Sequence, residues 1–397
     1  MTVFRPKDEQ ELAGVIQQAL EREEPLELLG GGSKRGLGRP PQTPHRLELG
    51  AFSGIRVYEP EELVLTAGAA TPLAEIEAAL DGANQMLAFE PGDWRGLLGT
   101  EDAAPTIGGV LACNLSGPRR IRQGAARDHF LGLTGVSGRG EAFKAGGRVV
   151  KNVTGYDLCK LMAGSYGTLA ALTEVTVKVL PRPEATRTLV LRGLDDGAAL
   201  AAMTETLNSA HEPSGAAHLP QGVAVGDKAA TVLRVEGPVP SVEARIAALA
   251  RELQRFGTAE ILDDADSHGL WRSLRDVAPL AAPGDRARTI WRVSVAPSAA
   301  PGFLAAIRKT LDARSVLDWG GGLVWLAIAG AEDGGAAAIR AALRSGHATL
   351  IRAPDALRAS VPVFQPRPPA VEALTERLKD SFDPKRILNR GRMYRSF

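Results

Sequence analysis

The chain has 397 residues, a hydrophobic fraction of 44% and a formal net charge of +1 at pH 7. This length predicts roughly two or three domains, each large enough to bury a core of its own. The near-zero net charge argues against a nucleic-acid-binding protein, and no apolar run approaches the length of about 18 residues that a membrane helix needs.

Cysteine content and the first residues give an expectation about compartment. Cys113 and Cys159 are the only cysteines, and neither belongs to a CxxC motif. They fit no disulfide framework, zinc site or iron–sulfur cluster. The charged stretch MTVFRPKDEQEL has no signal-peptide core. We therefore expect a cytoplasmic protein without a transmembrane segment.

Short strands and helices separated by glycine-rich turns are predicted over residues 1–182. The helix over 8–23 has Asp8 as its cap and an apolar stripe along one side. LELL (26–29) is a short strand that leads into the loop GGGSKRGLG. The pattern then predicts, in chain order, strands at 46–49, 55–58 and 63–71, a helix over 71–80, a strand over 85–92, a helix over 106–114, two strands within 129–147, a helix over 157–165 and a strand over 168–181.

Repeated strand–helix units follow the linker PRPEA (181–185). The strands TRTLVLR, TVLRVE, RTIWRVSV and GLVWLAIAG each precede a predicted helix, over 195–209, 241–256, 301–313 and 335–344 respectively, and ATLIRA (348–353) closes the series. Repeats of this kind are typical of a ferredoxin-like sheet. A last helix and a polar tail are predicted over 369–393. We therefore expect a division into 1–182, 183–365 and 366–397.

The loop GGGSKRGLG has the composition of an anion site. Glycines let main-chain N–H groups turn inward as a nest, Ser33 adds a hydroxyl, and Lys34 adds a positive charge. The order Gly32, Ser33, Lys34 is not that of a P-loop, and Arg35 stands where a Rossmann fingerprint needs its third glycine. The alternative interpretation is a plain tight turn between two strands.

A second glycine-rich region favours the ligand interpretation. It reads EPGDWRGLLGTEDAAPTIGGVLACNLSGPRRIRQGAARD over 90–128 and continues as GGRVVKNVTGYDLCKLMAGSYGTLAALTEVT over 146–176. Two separate regions that suit anions fit a dinucleotide lying extended between two subdomains.

These segments, together with the tail FDPKRILNRGRM, resemble the FAD-binding domain of the vanillyl-alcohol oxidase / p-cresol methylhydroxylase superfamily over roughly residues 1–182. LWRSLR, TIWRVSV, DWGGGLVW and SGHATLIRA are most similar to the smaller FAD-binding subunits of bacterial glycolate oxidases. The resemblance implies an α+β fold: a PCMH-type FAD-binding domain of two subdomains, a ferredoxin-like α+β cap, and a C-terminal helix and tail that return to the flavin.

The resemblance also implies which residues bind FAD. Gly30, Gly31, Gly32, Ser33, Lys34 and Gly38 would hold the pyrophosphate. Pro91, Gly108, Gly109, Asn114, Ser116, Gly117 and Gly124 would line the flavin and ribityl side, with Asp128 supporting that loop. Gly155, Tyr156, Asp157 and Gly167 would form the far wall, and Asn389 would close the site from the tail.

Two departures from the wider family qualify these expectations. Many relatives attach the flavin covalently through a histidine in the first loop, where this chain has Ser33 and Lys34, so we expect FAD to be held without a covalent bond. Larger hydroxyacid-oxidising relatives carry a metal-binding histidine cluster in the second domain. The six histidines here have no such spacing, and no metal site is expected.

Arg292 and His347 are the candidate catalytic residues. Arg292 could bind a substrate carboxylate through its guanidinium, and His347 could take a hydroxyl proton. The alternatives are an ordinary arginine on a sheet face and an ordinary loop histidine.

Three functions remain open from the sequence. The first, implied by the resemblance, is an FAD-binding subunit in a complex that oxidises glycolate, with a larger FAD-containing catalytic subunit and an iron–sulfur subunit as partners. Those partners could bring the chain to the inner face of the membrane. The second is a self-sufficient FAD-dependent dehydrogenase of small 2-hydroxy acids. The third is a scaffold whose FAD is structural or absent.

Overall fold

A small parallel sheet begins the fold, which a computed structural model describes for residues 2–149, 155–224, 226–282 and 286–396. Strands β1 (Val3–Phe4), β2 (Glu27–Leu29) and β3 (Arg46–Glu48) lie in the order β1-β3-β2. Helix α1 (Glu9–Arg22) buries its apolar stripe, and its first turn is capped because the Asp8 side chain accepts a hydrogen bond from the Glu11 N–H. The predicted helix over 8–23 is thus confirmed.

A five-stranded antiparallel sheet forms the second part of the N-terminal half. Its order is β4-β5-β9-β7-β8, and two further strands, β6 and β10, pair with each other. The strands are β4 (Ile55–Glu59), β5 (Val64–Gly68), β6 (Gln85–Met86), β7 (Phe130–Ser137), β8 (Ala142–Gly146), β9 (Ala170–Lys178) and β10 (Leu180–Pro181). The predicted strand over 85–92 is therefore only two residues long.

Six short helices accompany this sheet in the part of the chain that the structure describes. They are α2 (Leu73–Gly82), α3 (Arg95–Leu98), α4 (Ile107–Cys113), α5 (Arg120–Gln123), α6 (Ala126–His129) and α7 (Leu158–Met162). Helix α4 confirms the helix predicted over 106–114, and its first residues bring the second glycine-rich region beside strand β5. The contact is direct, since the Gly108 N–H donates to the Ala69 carbonyl oxygen at 2.8 Å.

The cap is one antiparallel sheet of eight strands in the order β14-β11-β13-β12-β16-β17-β15-β18. The strands are β11 (Ala185–Arg192), β12 (Gly215–Leu219), β13 (Ala230–Gly237), β14 (Glu260–Leu262), β15 (Thr289–Ser294), β16 (Asp312–Asp318), β17 (Leu323–Ala329) and β18 (His347–Arg352). The helices between them are α8 (Asp196–Leu207), α9 (Val239–Glu252), α10 (Asp264–Arg275), α11 (Ala300–Arg308) and α12 (Ala336–Ala342).

This sheet consists of two ferredoxin-like units. Each unit follows the chain order β-α-β-β-α-β, and the units join where His218 of β12 pairs with Leu317 of β16. The sequence predicted the repeated strand–helix units but not β12, β14 or β16. Strand β16 was missed because the helix predicted over 301–313 ends at Arg308, and the chain is already extended again from Asp312.

The C-terminal segment returns to the first sheet. Helices α13 (Asp355–Ser360) and α14 (Pro369–Phe382) precede a tail that runs beside Leu26. The Leu26 N–H donates to the Ile387 carbonyl at 2.7 Å, and the Asn389 N–H donates to the Leu26 carbonyl at 2.9 Å. The last residues of the chain are thereby fixed next to the loop that follows β2.

A largely buried ion-pair network joins the N-terminal half to the cap. Glu90 accepts hydrogen bonds from Arg119 at 2.8 Å and from Arg234 of β13 at 3.0 Å, and Arg119 also pairs with Glu236 at 2.6 Å. The alternation of signs offsets the cost of burying four charges. Across the described residues, no helix is long and apolar enough to cross a membrane.

Candidate functional site

The first glycine loop leaves strand β2 and packs against the segment before α4. Gly31 has no room for a side chain, because a Cβ there would lie 1.8 Å from the Ala104 carbonyl oxygen. Gly32 has a φ of +78° and faces open space, with no atom within 4 Å of a Cβ position. The two glycine-rich regions therefore touch through main chain, and Gly32 leaves a surface that a ligand can approach.

A cavity lies where these segments meet, and its space, part of it open to solvent, is about 780 Å³. We call it the flavin cavity. Nine of the residues predicted to bind FAD line it: Gly30, Gly31, Gly32, Ser33, Lys34, Gly108, Gly109, Gly167 and Asn389. Segments separated by more than 300 residues in the chain thus meet around one space.

Lys34 brings a buried positive charge to this cavity. Its Nζ lies 3.2 Å from Ser33 Oγ, and no carboxylate among the described residues forms an ion pair with it. Burial lowers the pKa of Lys34, since the charged ammonium loses solvation that no carboxylate replaces. A bound anion would supply the missing partner.

Arg392, in the C-terminal tail, binds the main chain of the first glycine loop. Arg392 is 7% exposed, and its guanidinium donates to the main-chain carbonyls of Lys34 at 2.8 Å and Arg35 at 3.3 Å. Glu27, which is 2% exposed, holds the Arg35 side chain through two hydrogen bonds of 2.8 Å. Sequence analysis missed both Glu27 and Arg392, because their partners are not at a spacing that a local pattern would reveal.

Asn389 joins the tail to two walls of the flavin cavity. Its Oδ1 accepts from the Leu28 N–H at 2.9 Å, and its Nδ2 donates to the Tyr166 carbonyl at 2.8 Å. A Cβ on Gly167 would lie 2.8 Å from that Nδ2, so the wall needs glycine there. The tail therefore forms part of the wall of this cavity.

The remaining residues predicted to bind FAD lie outside the lining of the flavin cavity. Three of them use their side chains within their own loop: Asn114 accepts from the Arg127 N–H at 3.0 Å, Ser116 from Ala126 at 2.8 Å, and Asp128 from Ala125 at 2.8 Å. Three others pack elsewhere: Gly38 lies against Arg392, Pro91 is buried, and the Gly117 carbonyl accepts from the Trp319 indole at 3.0 Å. Gly155 and Tyr156 are exposed, and Asp157 caps α7.

A second cavity, an open space of about 730 Å³, lies between part of this loop and the cap. We call it the cap cavity. Gly124 and Asp128 line it from the FAD-binding side, and Trp319 lines it from the cap. The side chain of Arg120 also lines the cavity and lies 4.2 Å from the Trp319 ring centroid.

Arg292 and His347 lie close together on neighbouring strands of the cap, β15 and β18, where His347 pairs with Ser294. The Arg292 guanidinium is 5.0 Å from the Trp319 ring centroid and forms no ion pair among the described residues. Burial lowers the pKa of Arg292 to about 10. Partial burial, followed by the positive charges of Arg292 and Arg120, lowers the pKa of His347.

The donor set of the flavin cavity fits an elongated anionic dinucleotide. The glycine main chain and the Lys34 ammonium offer donors to a pyrophosphate, and the apolar side chains of Leu28, Leu29 and Leu172 offer surface to rings. Among its described lining residues there is no Asp or Glu that would repel an anion.

Family comparisons agree with this geometry. Residues 2–146 match the FAD binding domain, and residues 173–343 match the C-terminal domain of FAD linked oxidases. FAD is thus the cofactor of this chain. Among solved structures, 4-ethylphenol oxidase from Gulosibacter chungangensis has a TM-score of 0.71 at 15% identity, over 98% of this chain and 88% of that one, which shows a shared fold.

Two curated relatives belong to glycolate oxidases. Glycolate oxidase subunit GlcD of Bacillus subtilis strain 168 is 33% identical over 150 residues, which are 35% of this chain and 32% of the relative. Glycolate oxidase subunit GlcE of Escherichia coli strain K12 is 39% identical over 391 residues, which are 97% of both chains. With that identity over nearly the whole length of both proteins, the chain belongs to the family of glycolate oxidase subunit GlcE, FAD-binding proteins of the PCMH type.

Proposed function

We propose that this chain is the FAD-carrying subunit of a complex that oxidises glycolate to glyoxylate, in which it relays electrons or shapes the complex. The observation that carries the proposal is the match to glycolate oxidase subunit GlcE over 97% of both chains. The flavin cavity supports it, because that cavity joins residues of both glycine-rich regions and of the tail.

The first loop is proposed to bind the pyrophosphate. Main-chain N–H groups of 30–32 and the Ser33 hydroxyl act as donors, and the Lys34 ammonium neutralises charge. Bound there, FAD supplies a centre that accepts a hydride or electrons and passes electrons on. Since Ser33 and Lys34 stand where relatives carry a flavin-linked histidine, the cofactor is held without a covalent bond.

The other predicted residues are proposed to build the walls rather than to touch the pyrophosphate. Gly108, Gly109, Gly167 and Asn389 line the flavin cavity directly. The loop over 114–128 uses its side chains to fix its own main chain, so it positions the boundary between the flavin cavity and the cap cavity. The division of the chain at 182 and 365 is proposed on the same grounds, since the cap sheet occupies residues 185–352.

Partners are proposed from the chemistry that this chain lacks. Its two cysteines cannot hold an iron–sulfur cluster, so an iron–sulfur subunit would carry electrons onward, and a larger FAD-containing subunit would oxidise glycolate. We place this complex in the cytoplasm, where its partners could hold it at the inner face of the membrane.

Co-purification tests the proposal. The chain is isolated from its own organism through an affinity tag, its absorbance spectrum is recorded, and the chains that accompany it are identified by mass spectrometry. A flavin spectrum together with a second FAD-containing chain and an iron–sulfur chain is the expected result. A lone, flavin-saturated chain that oxidises glycolate at full rate would overturn the subunit assignment.

A second candidate function is oxidation of a 2-hydroxy acid by this chain alone. Arg292 is the observation that favours it, because a largely desolvated guanidinium without a carboxylate partner beside Trp319 can bind a substrate carboxylate. His347 would take the hydroxyl proton. Bleaching of the flavin by glycolate or D-lactate in the purified chain, and its loss in Arg292→Gln, would establish this activity; no bleaching by either acid would exclude it for these substrates.

A further inference from the structure

A third cavity opens between the C-terminal tail and the segment after α13. It is an open space of about 1060 Å³, and we call it the tail cavity. The side chains that decide its chemistry are Arg39, Phe364, Arg367, Glu372, Tyr394 and Arg395. None of these residues lines the flavin cavity.

The described lining of the tail cavity has more arginines than carboxylates. Among the described residues that line it there are three arginines and one carboxylate, that of Glu372. Arg39 donates to the Ala359 carbonyl at 2.9 Å, and Arg395 donates to the Ser360 carbonyl at 3.0 Å, so main-chain oxygens rather than carboxylates are their partners. Within the described part of the chain, neither of these two arginines forms an ion pair. Burial, and then the charge of Arg395, lower the pKa of Arg39.

Three aromatic rings connect the flavin cavity to this surface. Tyr166 lines the flavin cavity, and its ring packs edge-on against Phe364 with 5.0 Å between the centroids. Phe364 is 5.8 Å from Tyr394, and the Arg367 guanidinium lies 3.8 Å from the Tyr394 centroid. Rings at these separations are in packing contact. Electron tunnelling is faster through packed matter than through open space, and the three rings form continuous packing contacts between the two cavities.

We propose that the tail cavity is the docking site of an acidic one-electron acceptor protein, and that electrons reach it through Tyr166, Phe364 and Tyr394. This inference rests on the proposed function, in which the chain carries a reducible FAD. Two acceptor molecules each gain one electron for every fully reduced flavin, the two protons of that flavin pass to water, and no bond in the three side chains is made or broken.

Charge complementarity selects the partner. An acidic protein gains from three arginines around a concave surface, whereas a basic protein is repelled, and such fields change association rates by about 10-fold to 1000-fold at low salt. The matched probes are therefore oxidised cytochrome b5, which is acidic, and oxidised cytochrome c, which is basic. Both accept one electron at a haem.

The first experiment measures docking with and without electron transfer. Equilibrium binding of oxidised cytochrome b5 to the oxidised, FAD-loaded protein is followed by calorimetry, and reduction of each cytochrome by the dithionite-reduced protein is followed by stopped flow. The tail-cavity variant carries the double substitution Arg367→Gln with Arg395→Gln. The control variant carries Arg251→Gln with Arg255→Gln, and these two substitutions remove two exposed charges from the region of α9. Rates are expressed per bound flavin.

The expected result is that the tail-cavity variant binds cytochrome b5 about tenfold more weakly at low ionic strength and reduces it correspondingly more slowly. Its rate with cytochrome c should not fall, and the control variant should match the unmodified protein with both probes. Equal losses in the two variants, or none in either, would overturn the docking site. Loss of the flavin spectrum is recorded separately, because it bears on FAD binding and not on docking.

The second experiment tests the route. Phe364→Leu removes the middle ring but keeps an apolar side chain, so it should slow electron transfer within the saturated complex while leaving the affinity for cytochrome b5 unchanged. An unchanged limiting rate would show that electrons do not pass through Phe364.

Discussion

Lys379 Nζ lies 2.6 Å from Asp383 Oδ2, and both side chains are completely buried. The same ammonium donates to the carbonyls of Thr168 at 2.5 Å and Leu388 at 3.2 Å. The carboxylate accepts from the main-chain N–H groups of Ile387 at 3.0 Å and Leu388 at 2.8 Å. This pair therefore fixes the turn that leads from α14 into Asn389 and ties it to the segment before β9.

Lys379→Met should destabilise the protein strongly and weaken FAD binding. Removing the lysine leaves a buried carboxylate without its cation, which costs roughly 3–5 kcal/mol of unfolding free energy. FAD affinity should fall as well, because the tail that carries Asn389 loses its anchor. Denaturant unfolding and titration of the FAD-free protein with FAD measure the two effects.

The matched control is Lys385→Met. Lys385 pairs with Glu23 at the surface, where both side chains are about half exposed, and a surface pair contributes only about 0–1 kcal/mol. The double substitution Lys379→Met with Asp383→Leu should recover part of the stability, since no unpaired charge remains. If Lys379→Met behaved like the control, the buried pair would not anchor the tail.

Gly31→Ala should separate the two glycine-rich regions. A methyl group 1.8 Å from the Ala104 carbonyl cannot be accommodated without movement of main chain on one side. We expect lower stability and loss of FAD binding, measured by thermal unfolding and by the flavin content of the purified protein. Gly14→Ala is the control: nothing lies within 4 Å of its Cβ position on α1, and alanine should stabilise the helix by about 0.5–1 kcal/mol. Full flavin content in Gly31→Ala would contradict the close packing of the two regions.

Lys34→Met should weaken FAD binding without destabilising the fold. The apolar side chain removes a costly buried charge, so the FAD-free variant should be at least as stable as the unmodified protein. A hydrogen bond to a charged group contributes about 1.5–3 kcal/mol, so the dissociation constant for FAD should rise roughly 10-fold to 100-fold. Fluorescence titration with FAD measures it, and Lys7→Met, at an exposed position, is the control. An unchanged affinity would remove Lys34 from the pyrophosphate site.

The parts of the site that the sequence predicts well are those with a local pattern. Gly30 to Lys34 have the composition of an anion loop and line the flavin cavity, and Gly108 and Gly109, which also line it, follow a clear helix start. Helix α1 also follows from its cap and its apolar periodicity, because its buried residues recur at helical spacing along the chain.

The parts that it does not predict depend on contacts between distant residues. Glu27 lies in the strand LELL and has the pattern of an exposed residue, yet it is buried because Arg35 and Arg46 reach it from two other segments. The role of Arg392 cannot be predicted from local sequence either, since its partners are main-chain carbonyls more than 350 residues earlier. No spacing rule within one segment can reveal such contacts.

Asp318, at the end of β16, has an unusual ionisation that should appear in the stability of the protein. It is 4% exposed, and its Oδ1 accepts from the Trp319 N–H at 2.6 Å. Burial raises the pKa of Asp318 from 3.8 to about 7, and the charge of Glu90 adds to this, while the hydrogen bond from the Trp319 N–H and the charges of Arg234 and Arg292 act in the opposite direction. Between these two pKa values, the Asp318 carboxyl keeps its proton in the native state, whereas the unfolded chain has already lost it.

The raised pKa of Asp318 makes the free energy of unfolding fall as the pH rises. Because the folded pKa is the higher one, the stabilisation from Asp318 is complete below about pH 4 and is lost as the pH rises to about 7, with a total of at most about 4 kcal/mol. Asp318→Asn cannot ionise, so its unfolding free energy relative to the unmodified protein should increase over this range and then level off. Denaturant unfolding at a series of pH values measures the difference, which cancels the titration of all other groups. Asp227→Asn, at an exposed position, should show no such trend. A constant difference between Asp318→Asn and the unmodified protein from about pH 4 to about pH 8 would mean that Asp318 is already ionised in the native state at low pH.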